Sequence, residues 1–510
     1  MAVKIILLLV FFAIMIAVGV YSRKKATNVN DFVLGGRSVG PWMTAFAFGT
    51  SYFSSVVFVG YAGQFGWKYG LASTWIGLGN AFIGSLLAWV ILGRRTRVMS
   101  QKLESATMPD FFGKRYDSKA LKLVASAICF VFLIPYTASI YNGLSRLFAM
   151  AFDIPYSACI ITMAVLTGVY VILGGYMATA INDFIQGIIM LIGIVAVIVA
   201  VLNGHGGFYE AVFQLAELES DVAVTMGQKG AFTSFFGPDV VNLIGVVVLT
   251  SLGTWGLPQM VHKFYAIKDE RAVKTGTVVS TIFAIIISGG CYFLGGFARL
   301  YADADIYKAD GSVMYDAIVP AMLSTLPDIL IGIVIVLVLS ASMSTLSSLV
   351  LTSSSTLTLD FIKGTIVKDM KEKTQLIVMR VLIAFFIILS VVIALNPPTF
   401  IAQLMGISWG ALAGAFLAPF MYGLYSKKVT KAAVWASFIV GVGLTVSNMF
   451  FKFIASPINA GAIAMVASLI VVPIVSLITP KMKQETVDEI FSCYDQKVTV
   501  TEKTSLGENA

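Results

Sequence analysis

Charge and histidine are scarce in this chain. Of its 510 residues only 12% are charged and two are histidine, whereas 58% are apolar. With a mean hydropathy of +0.88, that balance excludes a soluble domain and a disordered chain, and it points to a polytopic membrane protein. Cysteine is also sparse: Cys129, Cys159, Cys291 and Cys493 are scattered, three of them in apolar runs and none in a CxxC pair. That excludes a disulfide framework or a zinc ribbon and predicts inert core residues. No GxxxxGK stretch is present, so nucleotide hydrolysis is not the energy source. His205 and His262 fall outside the predicted membrane core and no nucleophile–base pair is visible, which argues against an enzyme.

What the chain does have is hydrocarbon. Runs of about 20 apolar residues suffice to span a bilayer. They occur near 3–21, 41–66, 71–93, 120–149, 155–175, 178–202, 239–264, 275–298, 325–359, 376–396, 399–425, 430–451 and 458–479, predicting thirteen spans. The first is read as a retained span and not a signal peptide, because only Lys4 precedes it while SRKK follows at 22–25. Basic residues alternate between successive loops. One set holds Arg23, Lys24, Lys25 and Arg37; then Arg94, Arg95, Arg97, Lys102, Lys114, Arg115, Lys119 and Lys122; then Lys263, Lys268, Arg271 and Lys274; then Lys363, Lys368, Lys371 and Lys373; then Lys427, Lys428 and Lys431. The intervening 203–238 and 299–322 loops are acidic. By the positive-inside rule the N-terminus lies outside and the C-terminus inside. The net charge of +8 is thus a cytoplasmic-face signature, and no nucleic-acid partner is expected. The polar tail, 480–510, is too short for a signalling module, which disfavours a sensor.

Two spans carry backbone breakers at mid-depth. Span 2 contains Gly49-Thr50-Ser51 with Ser54-Ser55 just beyond, and span 7 contains Gly253, Gly256 and Pro258. Unpaired peptide groups survive in lipid only where they line a cavity or bind a ligand. Spans 2 and 7 are five apart and enter from opposite sides, the pattern of an inverted repeat of spans 2–6 against 7–11, with the binding site at the breaks.

Residues 340–358, SASMSTLSSLVLTSSSTLT, hold Ser or Thr at 12 of 19 positions, directly after an almost pure hydrocarbon run. On a helix Ala341, Ser344, Thr345 and Ser348 form one stripe, with Ser347 beside it. Hard cations want several oxygen ligands, and hydroxyls with carbonyls freed by a broken neighbour supply them without adding charge. Ser340, Ser342 and Ser353–Ser355 are expected to bond their own helix carbonyls instead. Span 6 adds Asp183 about a turn and a half inside an apolar helix, where a carboxylate is functional by default and a cation is the favoured partner.

These stretches carry a resemblance. DFVLGGRSVGPW (31–42), TMPDFFGKRY (107–116), ILGGYMATAINDFIQ (172–186), LPQMVHKFYAIKD (257–269), SASMSTLSS (340–348) and GALAGAFLAP (410–419) run in order along nearly the whole chain. It resembles the sodium/solute symporter family, which includes sodium/proline, sodium/pantothenate, sodium/sialic acid and sodium/glucose carriers. The resemblance implies an all-α, LeuT-like inverted five-helix repeat with thirteen helices. On that reading 1–21 is a peripheral first helix, 22–202 the first half with spans 2–6, 239–425 the second repeat, 430–479 two peripheral helices, and 480–510 a cytoplasmic tail.

The resemblance also implies site residues. A first Na⁺ would take the carbonyls of Thr50, Phe53 and Ala341 and the hydroxyls of Ser344 and Thr345. A second would take Asp183, Ser344, Ser347 and Ser348. The solute would lie between spans 2, 4, 7 and 11, near Tyr52, Tyr136, Tyr141, Thr254, Trp255 and Trp409. The chain departs from the proline branch at Tyr52, where that branch is acidic, and at Thr254, where it is aromatic. The expected function is import of a small solute by Na⁺-coupled alternating access across the cell (inner) membrane, with one or two Na⁺ as co-transported ion and lipid as the surrounding partner. The solute would be an amino acid such as proline, a monocarboxylate or a vitamin. Alternatives are a proton-coupled carrier of the same fold or a sodium symporter for sugar or sialic acid. A channel is disfavoured, because a closed midplane site suits occlusion.

Overall fold

Long apolar runs can satisfy their backbone in lipid only as helices, and the computed structural model is helical throughout. It describes residues 2–23, 28–152, 154–302, 306–367, 369–396 and 401–495, with no β-strand among them. Ten of the described helices are long and apolar enough to cross a membrane, or eleven when a pair bent by 45° at Leu257 is taken as one.

The helices used below are α1 (Ala2–Ser22), α2 (Pro41–Tyr52), α3 (Ala62–Tyr69), α4 (Lys119–Phe152), α5 (Tyr156–Gly204), α6 (Val240–Gly256), α7 (Pro258–Tyr265), α8 (Asp328–Thr356), α9 (Glu372–Leu395), α10 (Ile401–Tyr425), α11 (Lys431–Phe451) and α12 (Pro457–Ile478). Burial sorts them into centre and rim. The apolar stretch of α10 is 89% buried and that of α8 78%, against 22% for α1 and 33% for α9. The rim exposes Ile192, Val195, Val381, Ile388, Ile474 and Leu477, while serine and threonine are buried along α8. Apolar outside and hydroxylated inside is the arrangement a lipid solvent demands.

Breaks occur where local chemistry permits them. Helix α2 stops at Tyr52 because Phe53 turns to extended geometry (φ −113, ψ 120). Ser54 then restarts the helix, its hydroxyl accepting from the Val56 amide at 3.2 Å. The break therefore lies beyond Gly49–Ser51, which stay helical; those three are small enough to pack but retain their i→i−4 bonds. Between α6 and α7, Leu257 is extended and Pro258, lacking an amide proton, opens the next helix. In α5 the chain turns at Gly175 (φ 55, ψ −148), a conformation strained for any side chain.

The loops gather at two ends. At one, Arg37 donates to the Ser105 carbonyl at 2.7 Å, Arg115 to the Gly423 carbonyl at 2.9 Å, and Lys427 pairs with Asp488 at 2.8 Å. At the other, Arg299 binds both oxygens of Asp221 (2.7 and 2.9 Å) and Trp75 donates to the Phe235 carbonyl at 2.8 Å.

Close helix approach depends on glycine in the first broken span. A Cβ on Gly66 of α3 would overlap the carbonyl of Gly295, and one on Gly295 would overlap the Ala62 carbonyl. Gly66→Ala is therefore expected to cost about 1–3 kcal/mol by overpacking, read as a lower melting temperature in detergent. Gly443→Ala on α11, where nothing lies within 4 Å, is the control and should melt at least as high as the parent. Equal melting of the two variants would remove the glycine contact from the packing account.

Candidate functional site

The end of α2 leaves the carbonyls of its last turn without helical partners, and α8 runs past them. The Thr345 hydroxyl lies 3.4 Å from the carbonyls of both Thr50 and Ser51 and donates to the Ala341 carbonyl at 3.1 Å. Ser344 donates to the Thr50 hydroxyl at 2.8 Å. Phe53 and Ala341 line one small enclosed cavity. Of the five residues expected around a first Na⁺, the structure joins Thr50, Ala341, Ser344 and Thr345 in one buried cluster of neutral oxygens of the kind a hard monovalent cation takes, while Phe53 meets Ala341 only across the apolar cavity.

Around Asp183 the structure adds a group that the sequence analysis placed elsewhere. Lys263, counted there among loop charges, is buried at 2% side-chain exposure, and its Nζ lies 3.3 Å from Asp183 Oδ2, itself 0% exposed. It also donates to the Ser348 hydroxyl at 2.9 Å and sits over the Tyr176 ring, 5.2 Å from its centroid. Ser348 is 2.9 Å from the Ser51 hydroxyl, which ties this cluster to the first. Ser347 turns back to the Ser344 carbonyl at 2.8 Å. Asp183 lies well past the turn at Gly175, so it is not a helix cap. The sequence signal for Lys263 is slight: it follows Pro258 by five residues, with no turn-forming residue between them.

His262 is buried within the protein, packed edge-on against Tyr176 at 5.4 Å on a helix bent by 45° from α6. One further expectation needs correction. Ser342, Ser354 and Ser355 do bond their own helix carbonyls, but the hydroxyls of Ser340 and Ser353 are buried without a partner.

The aromatic candidates divide. Tyr52, Tyr136 and Trp409 meet: the Trp409 ring is 6.2 Å from Tyr52 and 5.8 Å, edge-on, from Tyr136. The Tyr136 hydroxyl and the Trp409 indole N–H are buried against each other, with Ser54 beside Tyr136, and neither makes a well-formed hydrogen bond. Tyr141 is also buried, its hydroxyl beside Thr167, but no ring contact among the described residues joins it to the group. Thr254 and Trp255 instead hold α6 against the preceding half, donating to the carbonyls of Gly84 and Ile83, each at 3.0 Å. Tyr52 donates to the Thr250 carbonyl at 2.6 Å.

Comparison with known proteins places this geometry. A family model described as the Sodium:solute symporter family matches residues 32–441. The sodium/proline symporter of Staphylococcus aureus (strain JH9) is 31% identical over 449 residues, 86% of this chain and 84% of that protein. The osmoregulated proline transporter OpuE of Bacillus subtilis (strain 168) is 28% identical over 447 residues, 86% of this chain and 88% of that one. Among solved structures, the substrate-bound outward-open state of a Na⁺-coupled sialic acid symporter superposes with a TM-score of 0.76 at 19% identity, covering 94% of this chain and 98% of that one. MHP1, a nucleobase-cation-symport-1 family transporter, gives 0.53 at 12% identity, covering 90% and 97%. These two likenesses concern the fold. The family match across most of the chain, with the buried oxygen cluster at a broken helix, makes this a multi-pass cell-membrane transporter with Na⁺ as its co-transported ion, and the chain belongs to the sodium:solute symporter family.

Proposed function

We propose that the protein imports a small carboxylate-bearing solute, an amino acid such as proline or a monocarboxylate or vitamin, together with Na⁺ by alternating access. The observation that carries this is the pair of buried donors, Tyr136 hydroxyl and Trp409 indole N–H, which lie against each other without a well-formed hydrogen bond, in an aromatic box beside the break at Phe53. Donors without acceptors cost free energy when buried, so they suit a ligand rich in acceptors. The half-helix restarting at Ser54 adds its positive end to the same point. Tyr52 forms the wall, with Thr254 and Trp255 behind it. The carbonyls of Thr50, Phe53 and Ala341 and the hydroxyls of Ser344 and Thr345 would hold the Na⁺ next to the solute.

Thirteen spans, N-terminus outside and C-terminus inside, fit this reading. The count is supported by the turns at Gly70 and Gly175, which divide long helical stretches, and by the short apolar helix Tyr156–Val169. The orientation is supported by the basic loops gathering at one end. Matching breaks at Phe53 and Leu257 support the inverted repeat within 22–202 and 239–425, with 1–21 and 430–479 outside it. A proton-coupled carrier, or a sugar or sialic acid symporter, is the competing assignment.

Thermal melting of purified protein with L-proline, pyruvate, pantothenate, sialic acid and glucose, each in NaCl and in KCl, tests this. Stabilisation by ligand follows mass action. A carboxylate should raise the melting temperature more in NaCl, and Tyr136→Phe should weaken that ligand at least about tenfold, the loss of one hydrogen bond to a charged group. Stabilisation by glucose alone, or shifts equal in both salts, would overturn the assignment.

A further inference from the structure

The buried Lys263 has no role in the transport reading above, yet its surroundings are those of a bound cation. Its ammonium meets the Asp183 carboxylate (3.3 Å), the Ser348 hydroxyl (2.9 Å) and the face of Tyr176 (5.2 Å). That is one carboxylate, one neutral oxygen and one π face around a single positive charge. Asp183 and Ser348 are also two of the groups expected to hold a second Na⁺. An ammonium and a sodium ion carry the same charge, and both cannot share one carboxylate at contact distance in a poorly screened interior.

We propose that Lys263 is a tethered cation that fills the second sodium position, so that the protein binds one Na⁺ per transport cycle. The proposal rests on reading the Thr50–Thr345 cluster as the sodium site. Stability alone does not account for the pair, because buried ion pairs are commonly no more stabilising than apolar residues of similar volume. Its placement does: Ser348 hydrogen-bonds both to Lys263 and to the Ser51 hydroxyl, and the Ser51 carbonyl faces Thr345 at 3.4 Å. The ammonium is carried on α7, beyond the break at Leu257, while Asp183 belongs to α5 and Ser348 to α8. One fixed charge thereby bridges three separate helices, as a bound ion would, without entering or leaving with the solute.

The test is equilibrium binding of radiolabelled Na⁺ to the full-length protein in detergent, with no solute present. The parent should bind one Na⁺, Lys263→Met two, and Lys263→Met/Asp183→Asn one. Lys263→Met should also melt at least 5 °C higher in NaCl than in KCl through the site it opens, a difference beyond the parent's own. Two Na⁺ bound by the parent, or one by a folded Lys263→Met, would overturn the proposal. So would a Lys263→Met protein that fails to fold in either salt while the double variant folds in both, since sodium would then be unable to replace the ammonium. A parent that binds none while Lys263→Met binds one would remove the first site and retain the tethered cation; none in both would remove the two together.

Discussion

Asp183→Ala should lower stability by about 3–5 kcal/mol, the cost of leaving a buried charge without its partner. Lys263 is buried at 2% side-chain exposure, and after the substitution its ammonium keeps only Ser348 and the Tyr176 ring. A hydroxyl and a π face do not replace a carboxylate. The measurement is thermal melting of purified protein in KCl, where sodium cannot intervene. Asp183→Leu/Lys263→Met removes both charges at similar volume and should recover most of the loss, because the desolvation cost disappears with the pair. Melting of Asp183→Ala within error of the parent would mean that the ammonium finds another acceptor, and the ion pair would lose its importance.

The second large effect concerns the α2–α8 junction. Ser344→Ala and Thr345→Ala are each expected to raise the Na⁺ concentration for half-maximal stabilisation or uptake at least about tenfold, equivalent to about 1.4 kcal/mol. Both hydroxyls point at the freed end of α2, Thr345 towards the Thr50 and Ser51 carbonyls and Ser344 at the Thr50 hydroxyl. Changing both should not give a simple sum, because the residues share partners. Ser342→Ala is the control: it is on the same helix, but its hydroxyl bonds the Val338 carbonyl. Sodium dependence unchanged in the two site variants, at normal folding, would remove this cluster from coupling.

Much of the site was legible from local pattern. The hydroxyl stripe of α8 emerged because helical periodicity alone puts Ala341, Ser344, Thr345 and Ser348 on one face, and its three hydroxyls do meet α2. The break at Leu257 was legible because Pro258 cannot donate to a continuing helix. The break in α2 was displaced from Gly49–Ser51 to Phe53–Ser54, because a serine capping the next helix outweighed the flexibility of glycine. Trp255 and Thr254, expected at the solute, also bond the backbone of the facing helix, a pairing that depends on residues about 170 positions away.

The sequence by itself determined that this is a polytopic helical membrane protein, where its apolar segments lie, and which hydroxyls share one face of α8; the family came from the resemblance of its motifs. Those properties follow from composition, from runs as long as a bilayer is thick, and from periodicity within single helices, and each is encoded by neighbouring residues. Only the tertiary structure decided that Lys263 is a core residue and not a loop charge, and that Tyr136 and Trp409 face each other. The physical reason is that positive-inside counting treats a lysine near a span end as solvated. Its real environment is set by residues 80 and 85 positions away, on helices whose packing no local pattern records.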